Sequence, residues 1–395
     1  MKKVVIIGGG AASFVAADQL SKHFEVCVYE KGKSVGKKFL VAGKGGFNLA
    51  HNLSLPELSS LYSPKGFMDN CLESFDSNHL RNWYSHLGIS TFIGSSNRIF
   101  PEKGISPANV LNTIKSKLHK QGVTFFTEHE FIGFSKSVKP LLKNVTEELE
   151  ITADYYIFAL GGGSWKVTGA NSKWLPLFEN IGIPTLPFQS SNCGLNIEWP
   201  TQILNHHVGK PLKNISVSIN NNHIKGEALI TTYGLEGNAI YPISSWVRDA
   251  LKTDKNPQIA IDFKPNNTEI QLLAKLKHAS PKNYGKLLHL DSVQMAFIKS
   301  FCTKEEYLNP THFVGKVKNI LVTIQSLRGV EESISTVGGI PTSELNADFS
   351  LHKYPHVFCI GEMVDWDAPT GGFLLQGCFS MSNYVAQNIL ERNSV

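Results

Sequence analysis

Paired cysteines, long apolar runs and a strong net charge are all missing from this sequence of 395 residues. The six cysteines form no Cys-x-x-Cys pair and no spacing typical of a metal site, so we predict reduced thiols and no metal centre. No apolar run approaches the roughly 18 residues of a membrane span, which predicts no membrane association. A formal charge of +5 is too small to indicate nucleic-acid binding by itself.

Export signals and internal repeats are also missing. Lys2 and Lys3 precede an apolar run, as in a signal peptide, but glycines interrupt that run and no small-residue cleavage site follows before Glu30. Together with reduced cysteines, this favours a cytoplasmic location. With 42% hydrophobic and 18% charged residues, the composition is that of a globular protein with room for two or three domains. No feature indicates an oligomeric state.

The first thirty residues have the pattern of a βαβ unit. Val4–Ile7 is a β-branched run, typical of a strand buried on both faces of a parallel sheet. Three glycines and a helical apolar pattern follow, and a second strand ends at Glu30. The sequence therefore predicts an α/β fold with a strand, glycine turn and helix at its start.

Glycines in this turn indicate a dinucleotide site. Gly8 permits the tight turn, and Gly10 leaves space for a pyrophosphate next to the backbone. The helix that begins at Ala11 and Ala12 offers N–H groups and a positive dipole end to phosphate. Ser13 stands where a small residue lets the helix pack on the strand.

An acidic residue follows at the position where dinucleotide sites contact ribose. Glu30 can accept hydrogen bonds from both ribose hydroxyls, and it would repel a 2′-phosphate. Lys31 begins a stretch rich in lysine and glycine that extends to Asn48, which we interpret as a loop facing the cofactor. The alternatives are a glycine turn without a ligand and a solvated loop.

Glycines after buried strands recur later in the chain. A strand over 155–160 ends at Gly161, which we place near the cofactor, and a strand over 357–360 ends at Gly361 and Glu362. Gly371 and Gly372 precede a long apolar helix that begins at Phe373. Its N–H groups and dipole could stabilise negative charge on a reduced flavin ring, while a capped core helix is the alternative.

The middle of the chain has a different pattern. A helix is predicted over 66–88, another from Pro107, and strands over 123–134. Alternating runs over 190–265 indicate antiparallel hairpins, and leucine-rich helical spacing dominates 268–327. We predict a dinucleotide-binding domain from 1–190 and 336–395, a β-rich insert over 191–265 and a small helical domain over 266–335.

Several stretches together resemble the BaiN-like FAD-dependent flavoproteins, the group that includes aminoacetone oxidase. The resemblance covers nearly the whole chain, and its blocks stand in the same order. The motifs that carry it are VVIIGGGAAS, GKKFLVAGKGGFN, GSSNRIFPEKGISPANVL, DYYIFALGGGS, GEALITTYGLEGNAIY, STVGGI and GEMVDWDAPTGGFLLQG.

This resemblance implies FAD in a Rossmann-type domain built from both chain ends, with a β-barrel-like insert and a small helical domain. It places Gly8, Gly10 and Ser13 at the pyrophosphate and Glu30 at the adenosine ribose. The remaining cofactor contacts that it implies are Lys38, Gly43 and Asn48 on the flavin side of the first loop, Gly361 and Glu362 at the ribitol and pyrophosphate, and Gly371, Gly372 and Phe373 at the isoalloxazine.

Two departures from the family pattern affect the expected active site. Gly46-Phe47-Asn48 replaces Arg-Cys-Asn, which removes a cation and a thiol. Tyr233 follows two threonines where the family often has Thr-His, which removes a proton-transfer histidine. Arg98 is a candidate anchor for an anionic substrate, or part of a surface salt bridge. Tyr233 is a candidate proton donor, or a packing residue.

The function that these observations favour is an FAD-dependent oxidoreductase. A hydride would move between the flavin and a small-molecule substrate, or NAD(P)H acting as a transient electron donor. No residue is assigned as catalytic. The alternatives are a flavoprotein acting on RNA, for which the lysines of the 31–48 loop are the only support, and a non-catalytic flavin redox sensor. An NAD dehydrogenase is disfavoured because a second set of glycines, near the C-terminal end, indicates further contacts to the cofactor.

Overall fold

The computed structural model describes residues 1–41 and 46–394. By contacts, the chain divides into two compact units. Unit 1 comprises Met1–Gln189 and Ser335–Val395, and unit 2 comprises Ser190–Ile334. None of the helices in the described ranges is long and apolar enough to cross a membrane.

Strands and helices are numbered here in chain order. The strands are β1 (Lys3–Ile7), β2 (Glu25–Glu30), β3 (Ala50–His51), β4 (Thr91–Ile93), β5 (Arg98–Pro101), β6 (Thr124–Thr127), β7 (Glu130–Phe134), β8 (Pro140–Lys143), β9 (Glu148–Glu150), β10 (Tyr155–Phe158), β11 (Leu186–Ser191), β12 (Leu195–Asn196), β13 (Pro211–Ile219), β14 (Asn222–Ile230), β15 (Gly234–Glu236), β16 (Gln258–Asp262), β17 (Ile320–Thr323), β18 (Ser326–Leu327), β19 (Ser335–Gly339) and β20 (Val357–Cys359). The helices are α1 (Ala11–Leu20), α2 (Lys37–Val41), α3 (Leu55–Ser59), α4 (Asp69–Ser74), α5 (Ser77–His86), α6 (Pro107–Lys120), α7 (Leu175–Glu179), α8 (Thr201–His207), α9 (Ser244–Ala250), α10 (Glu269–Leu276), α11 (Tyr284–Leu287), α12 (Ser292–Phe301), α13 (Lys304–Leu308), α14 (Pro310–Lys318) and α15 (Phe373–Ser394).

Unit 1 is built on a parallel sheet with strand order β20-β10-β1-β2-β6. Val4, Val5 and Ile6 on the central strand β1 are fully buried, as expected for a strand covered on both faces. Because all of these strands are parallel, their carboxyl ends lie at one edge of the sheet. Ligands of open α/β sheets bind at this edge.

Helices from the two chain ends pack together against that sheet. The Ala16 backbone N–H in α1 donates to Ser382 Oγ in α15 at 2.8 Å. Nearer the start of α15, Gln376 is fully buried and its Nε2 donates to the Phe75 carbonyl at 2.9 Å. The predicted α/β class, with a parallel sheet built from both chain ends, is confirmed.

Unit 2 has an antiparallel sheet with strand order β17-β16-β13-β14-β15-β12-β18. Helix residues Leu272, Phe297 and Phe313 share one buried cluster with the sheet residues Val217 and Ile259. The two outer strands of this order, β17 and β18, follow each other in the chain, and the Ile324 and Gln325 N–H groups between them donate to the Pro257 and Asn196 carbonyls at 2.9 Å each. This segment pairs with β16 on one side and with β12 on the other, which agrees with the β-barrel-like insert that the resemblance implied.

Two predicted helices differ from the structure. The helix predicted over 66–88 is divided into α4 and α5, because Asp76 accepts hydrogen bonds from the N–H groups of Asn78 and His79 and starts a new helix. The helical pattern over 268–327 is wrong at its end. Ile320 and Val322 are buried while Leu321 is exposed, which is the alternation of strand β17.

Other predicted elements are confirmed. The helix predicted from Pro107 is α6, the hairpin in the insert is β13 with β14, and the C-terminal helix begins at Phe373. The domain boundaries stay a prediction. By contacts, the residues assigned to a β insert and to a small helical domain lie in one compact unit.

Trp83→Phe tests a buried contact between α5 and α1. Trp83 Nε1 donates to Asp18 Oδ2 at 3.0 Å, both residues are buried, and Asp18 Oδ1 has no hydrogen-bond partner. Removing the donor would leave the carboxylate without any partner, so we expect a loss of about 1.5–3 kcal/mol in urea unfolding of the apoprotein.

The matched control is Trp199→Phe in unit 2. Trp199 is equally buried, but its Nε1 donates to a neutral backbone carbonyl, that of Thr231, at 2.9 Å. A loss of about 0.5–1.5 kcal/mol is expected there. Equal losses in the two variants would contradict the assigned cost of the buried carboxylate.

Candidate functional site

The glycine turn joins β1 to α1 at the carboxyl edge of the parallel sheet. Gly8 has φ +109, and a Cβ atom there would lie 2.2 Å from the Ala159 carbonyl oxygen, so only glycine fits. Gly10 precedes α1, and a Cβ atom there would meet nothing within 4 Å. The first N–H groups of α1, which include those of Ala11 and Ala12, have no partners within the helix. Open space therefore borders a helix N-terminus.

Glu30 lies beside this turn at the end of β2. Its Oε2 accepts the Gly9 N–H at 3.0 Å, and its Oε1 accepts the Gly32 N–H at 2.7 Å. A carboxylate has about four acceptor positions, so each oxygen can still accept a hydroxyl. Ser13, by contrast, is buried and donates to the Gly10 carbonyl, and Lys31 is exposed.

The C-terminal segment reaches the same edge. Gly361 lies two residues after the end of β20. A Cβ atom there would lie 2.8 Å from the Ala12 Cβ. Gly161 follows the end of β10 with φ +75, and the adjacent Gly162 is close to Glu362. Residues from the start, middle and end of the sequence therefore meet around the glycine turn.

An ion pair links the first loop to this segment. Lys38 Nζ in α2 lies 2.7 Å from Glu362 Oε2, and it also donates to Ser164 Oγ at 2.9 Å. Because Lys38 neutralises Glu362, this carboxylate does not present a free negative charge to a phosphate. The structure thus brings together two residues that the resemblance assigned to different parts of the cofactor.

A second group of predicted residues lies where α15 begins. A Cβ atom at Gly372 would lie 2.8 Å from Ala50 backbone atoms, so α15 starts directly against β3. The Phe373 ring stacks on His51, with ring centroids 4.9 Å apart, and the Phe373 carbonyl accepts from Tyr62 Oη at 2.7 Å. A Cβ atom at Gly371 would lie 3.5 Å from Arg98 Nε.

His51 is a residue that the sequence analysis did not identify. It pairs with Arg98 across β3 and β5, and its Nδ1 is buried without a hydrogen-bond partner. Burial and then the Arg98 charge lower the pKa of His51, and a backbone hydrogen bond at Ser96 raises it by less. The ring is therefore neutral at pH 7. A lone histidine carries no local signal, and only the sheet pairing reveals its position.

Asn48 provides a direct test of whether a cofactor fits. Its Oδ1 is buried and accepts no hydrogen bond. FAD carries hydroxyl and ring N–H donors that such an acceptor could use. With the open space at Gly10 and the available acceptor positions of Glu30, these residues fit a dinucleotide. Gly43, which the resemblance also places here, lies outside the described residues.

The departure at Phe47 changes packing. Phe47 is buried, and its ring meets that of Phe39 edge to face at 5.1 Å. It therefore occupies the core, where a thiol would leave space.

Tyr233 in unit 2 has a partner for its hydroxyl. It donates to Glu236 Oε2, while the Arg328 guanidinium lies over its ring at 4.1 Å from the centroid. Burial, and then this hydrogen bond, raise the pKa of Tyr233. Its role as a proton donor stays a prediction. No group of three or more His, Cys, Asp or Glu side chains in the described residues could hold a metal ion.

A family model described as the HI0933-like protein Rossmann domain matches residues 2–388. The chain belongs to this family. It is similar to the 3-dehydro-bile acid delta(4,6)-reductase of Clostridium scindens, with 23% identity over 99% of this chain and 100% of the relative. It is also similar to the ribosomal RNA dihydrouridine synthase of Haemophilus influenzae, with 23% identity over 98% of each chain.

Solved structures show the same fold at lower identity. The 3-ketosteroid delta1-dehydrogenase of Sterolibacterium denitrificans has a TM-score of 0.54 and 12% identity, over 99% of this chain and 100% of that one. The 3-ketosteroid-delta4-(5alpha)-dehydrogenase of Rhodococcus jostii RHA1 has a TM-score of 0.53 and 12% identity, over 98% and 96%. The chain is an FAD-dependent oxidoreductase with a Rossmann-type FAD-binding fold.

Gly8→Ala and Gly10→Val test the two roles of the glycine turn. Gly8→Ala should lower the stability of the apoprotein by about 3 kcal/mol, because of the clash with Ala159 and the positive φ. Gly10→Val should leave apoprotein stability within about 0.5 kcal/mol, since its side chain enters open space. In a fluorescence titration, FAD affinity of Gly10→Val should fall at least about tenfold. Unchanged FAD affinity would contradict a pyrophosphate at this turn.

Lys38→Met and Glu362→Gln test the ion pair by a double-mutant cycle. The pair is only partly exposed, with 29% and 14% of the two side chains accessible, so a coupling energy of about 1 kcal/mol is expected in apoprotein unfolding. Lys38→Met should be the more destabilising single change, because it leaves the Glu362 charge without its cation. Additive single effects would show that the pair contributes nothing.

Proposed function

We propose that the protein transfers a hydride between FAD held in unit 1 and a small-molecule substrate, with NAD(P)H as electron donor. The observation that carries this proposal is the meeting of the Gly8–Ser13 turn, Glu30 and Gly361 at one edge of the parallel sheet. When bound, FAD supplies the hydride chemistry through its ring N5.

The residues of unit 1 have separate tasks in this proposal. The α1 N–H groups bind the diphosphate, and Gly10 leaves room for it. Glu30 orients the adenosine ribose through its two oxygens. Asn48 accepts a hydrogen bond from the flavin side of the cofactor. The N-terminus of α15, at Phe373, directs its positive dipole end to the ring, which favours negative charge there.

The substrate class follows from what the names of the relatives share. A delta(4,6)-reductase of 3-dehydro-bile acids and a dihydrouridine synthase both reduce a carbon–carbon double bond conjugated with a carbonyl group. We propose the same reaction class here, on a small molecule. Uridine in RNA is the second candidate. It is favoured by the similarity of this chain to two ribosomal RNA dihydrouridine synthases, which extends over 98% of each of them.

Anaerobic titration of the purified protein with NADH and NADPH tests the proposal. We expect flavin absorbance bands that bleach with one of the two nicotinamides, and reoxidation by a conjugated enone. A protein that contains no FAD and takes up none would overturn the proposal. Reduced flavin that is reoxidised by ribosomal RNA and not by the enone, with RNA binding that weakens steeply as salt rises, would favour the second candidate.

A further inference from the structure

A cation without a partner lies beside the start of α15. Arg98 on β5 is half-buried, yet its guanidinium has no ion-pair or hydrogen-bond partner within residues 1–41 and 46–394. Arg81, Arg328 and Arg392 each contact an acceptor group on another residue. Because partial burial removes water from a charge, a cation in this position is normally paired. The missing partner indicates an anion from outside the chain.

The surroundings of Arg98 fix where that anion would bind. Its Nε and Nη2 would lie 3.5 and 3.8 Å from a Cβ atom at Gly371, which stands two residues before the start of α15 at Phe373. The neighbouring His51 is neutral, because burial and the Arg98 charge lower its pKa. Of these two neighbours, Arg98 therefore carries the positive charge.

We propose that Arg98 binds an anionic oxygen of the substrate beside the flavin ring, a role that rests on the proposed function. A guanidinium presents two parallel N–H groups to a carboxylate, and the same groups can bind the oxygen of an enolate. Arg98 is thus a specificity-determining residue that selects substrates carrying a carboxylate, or a carbonyl oxygen that becomes negative as the conjugated double bond is reduced.

Calorimetric titration of the FAD-loaded protein tests this without turnover. The probes are two matched pairs of compounds, benzoate with benzamide and pentafluorophenol with its methyl ether, in which one member is an oxyanion at neutral pH and the other is neutral. We expect the wild type to prefer the anion in at least one pair. Preference within the benzoate pair indicates a carboxylate, and preference within the phenol pair indicates an enolate-like oxygen.

Arg98→Gln should reduce the affinity for the preferred anion by about 10- to 150-fold and leave the neutral partner unaffected. Arg98→Lys keeps the charge but loses the paired donors, so its loss should be smaller, about threefold to tenfold. The matched control is Arg81→Gln. Arg81 donates to Thr91 Oγ1 on β4 of the same small sheet, and its replacement tests a general disturbance of that sheet.

Each contrary result has a separate meaning. A wild type that binds FAD but prefers neither anion, including one that binds no probe at all, overturns the role of Arg98 and leaves the proposed function intact. An equal loss in Arg81→Gln also overturns it. Loss of FAD itself from Arg98→Gln, measured by flavin content, would assign the guanidinium to the cofactor instead. A wild type that takes up no FAD fails the proposed function.

Discussion

The close packing of the two chain ends on one parallel sheet is the constraint on which the rest of unit 1 depends. Strand β1 pairs with β10, and β10 pairs with β20. Helix α1, which follows β1, contacts the C-terminal helix α15. At Gly361 the approach to Ala12 is too close for a side chain. The glycine turn and the segment at Gly361 therefore come together only when both ends of the chain are in place.

Charge is distributed unevenly over the two groups of candidate site residues. Glu30 accepts two backbone N–H groups and keeps acceptor capacity, so it suits a neutral polyol. Glu362 forms an ion pair with Lys38, so the two side chains together have no net charge. Arg98 keeps its positive charge while its neighbour His51 is neutral. A dinucleotide and an anionic substrate group would thus meet different residues.

Low identity to the relatives is compatible with a shared fold because different side chains fill equivalent space. Phe47, at a position where the family often has cysteine, packs against Phe39 in the core. Unit 2 has its own core and a closed network in which Tyr233 donates to Glu236 beneath Arg328. Such differences change side-chain contacts without altering the parallel sheet.

The sequence by itself determined the features that depend on neighbours along the chain. The glycine turn, the acid at the end of β2, the start of α6 and the glycines before α15 are local patterns, and backbone conformation and burial periodicity follow from a few adjacent residues. Only the tertiary structure decided the rest. The pairing of Lys38 with Glu362, the position of His51 opposite Arg98 and the strand character of Ile320–Thr323 depend on contacts between distant segments, and no local pattern encodes such contacts.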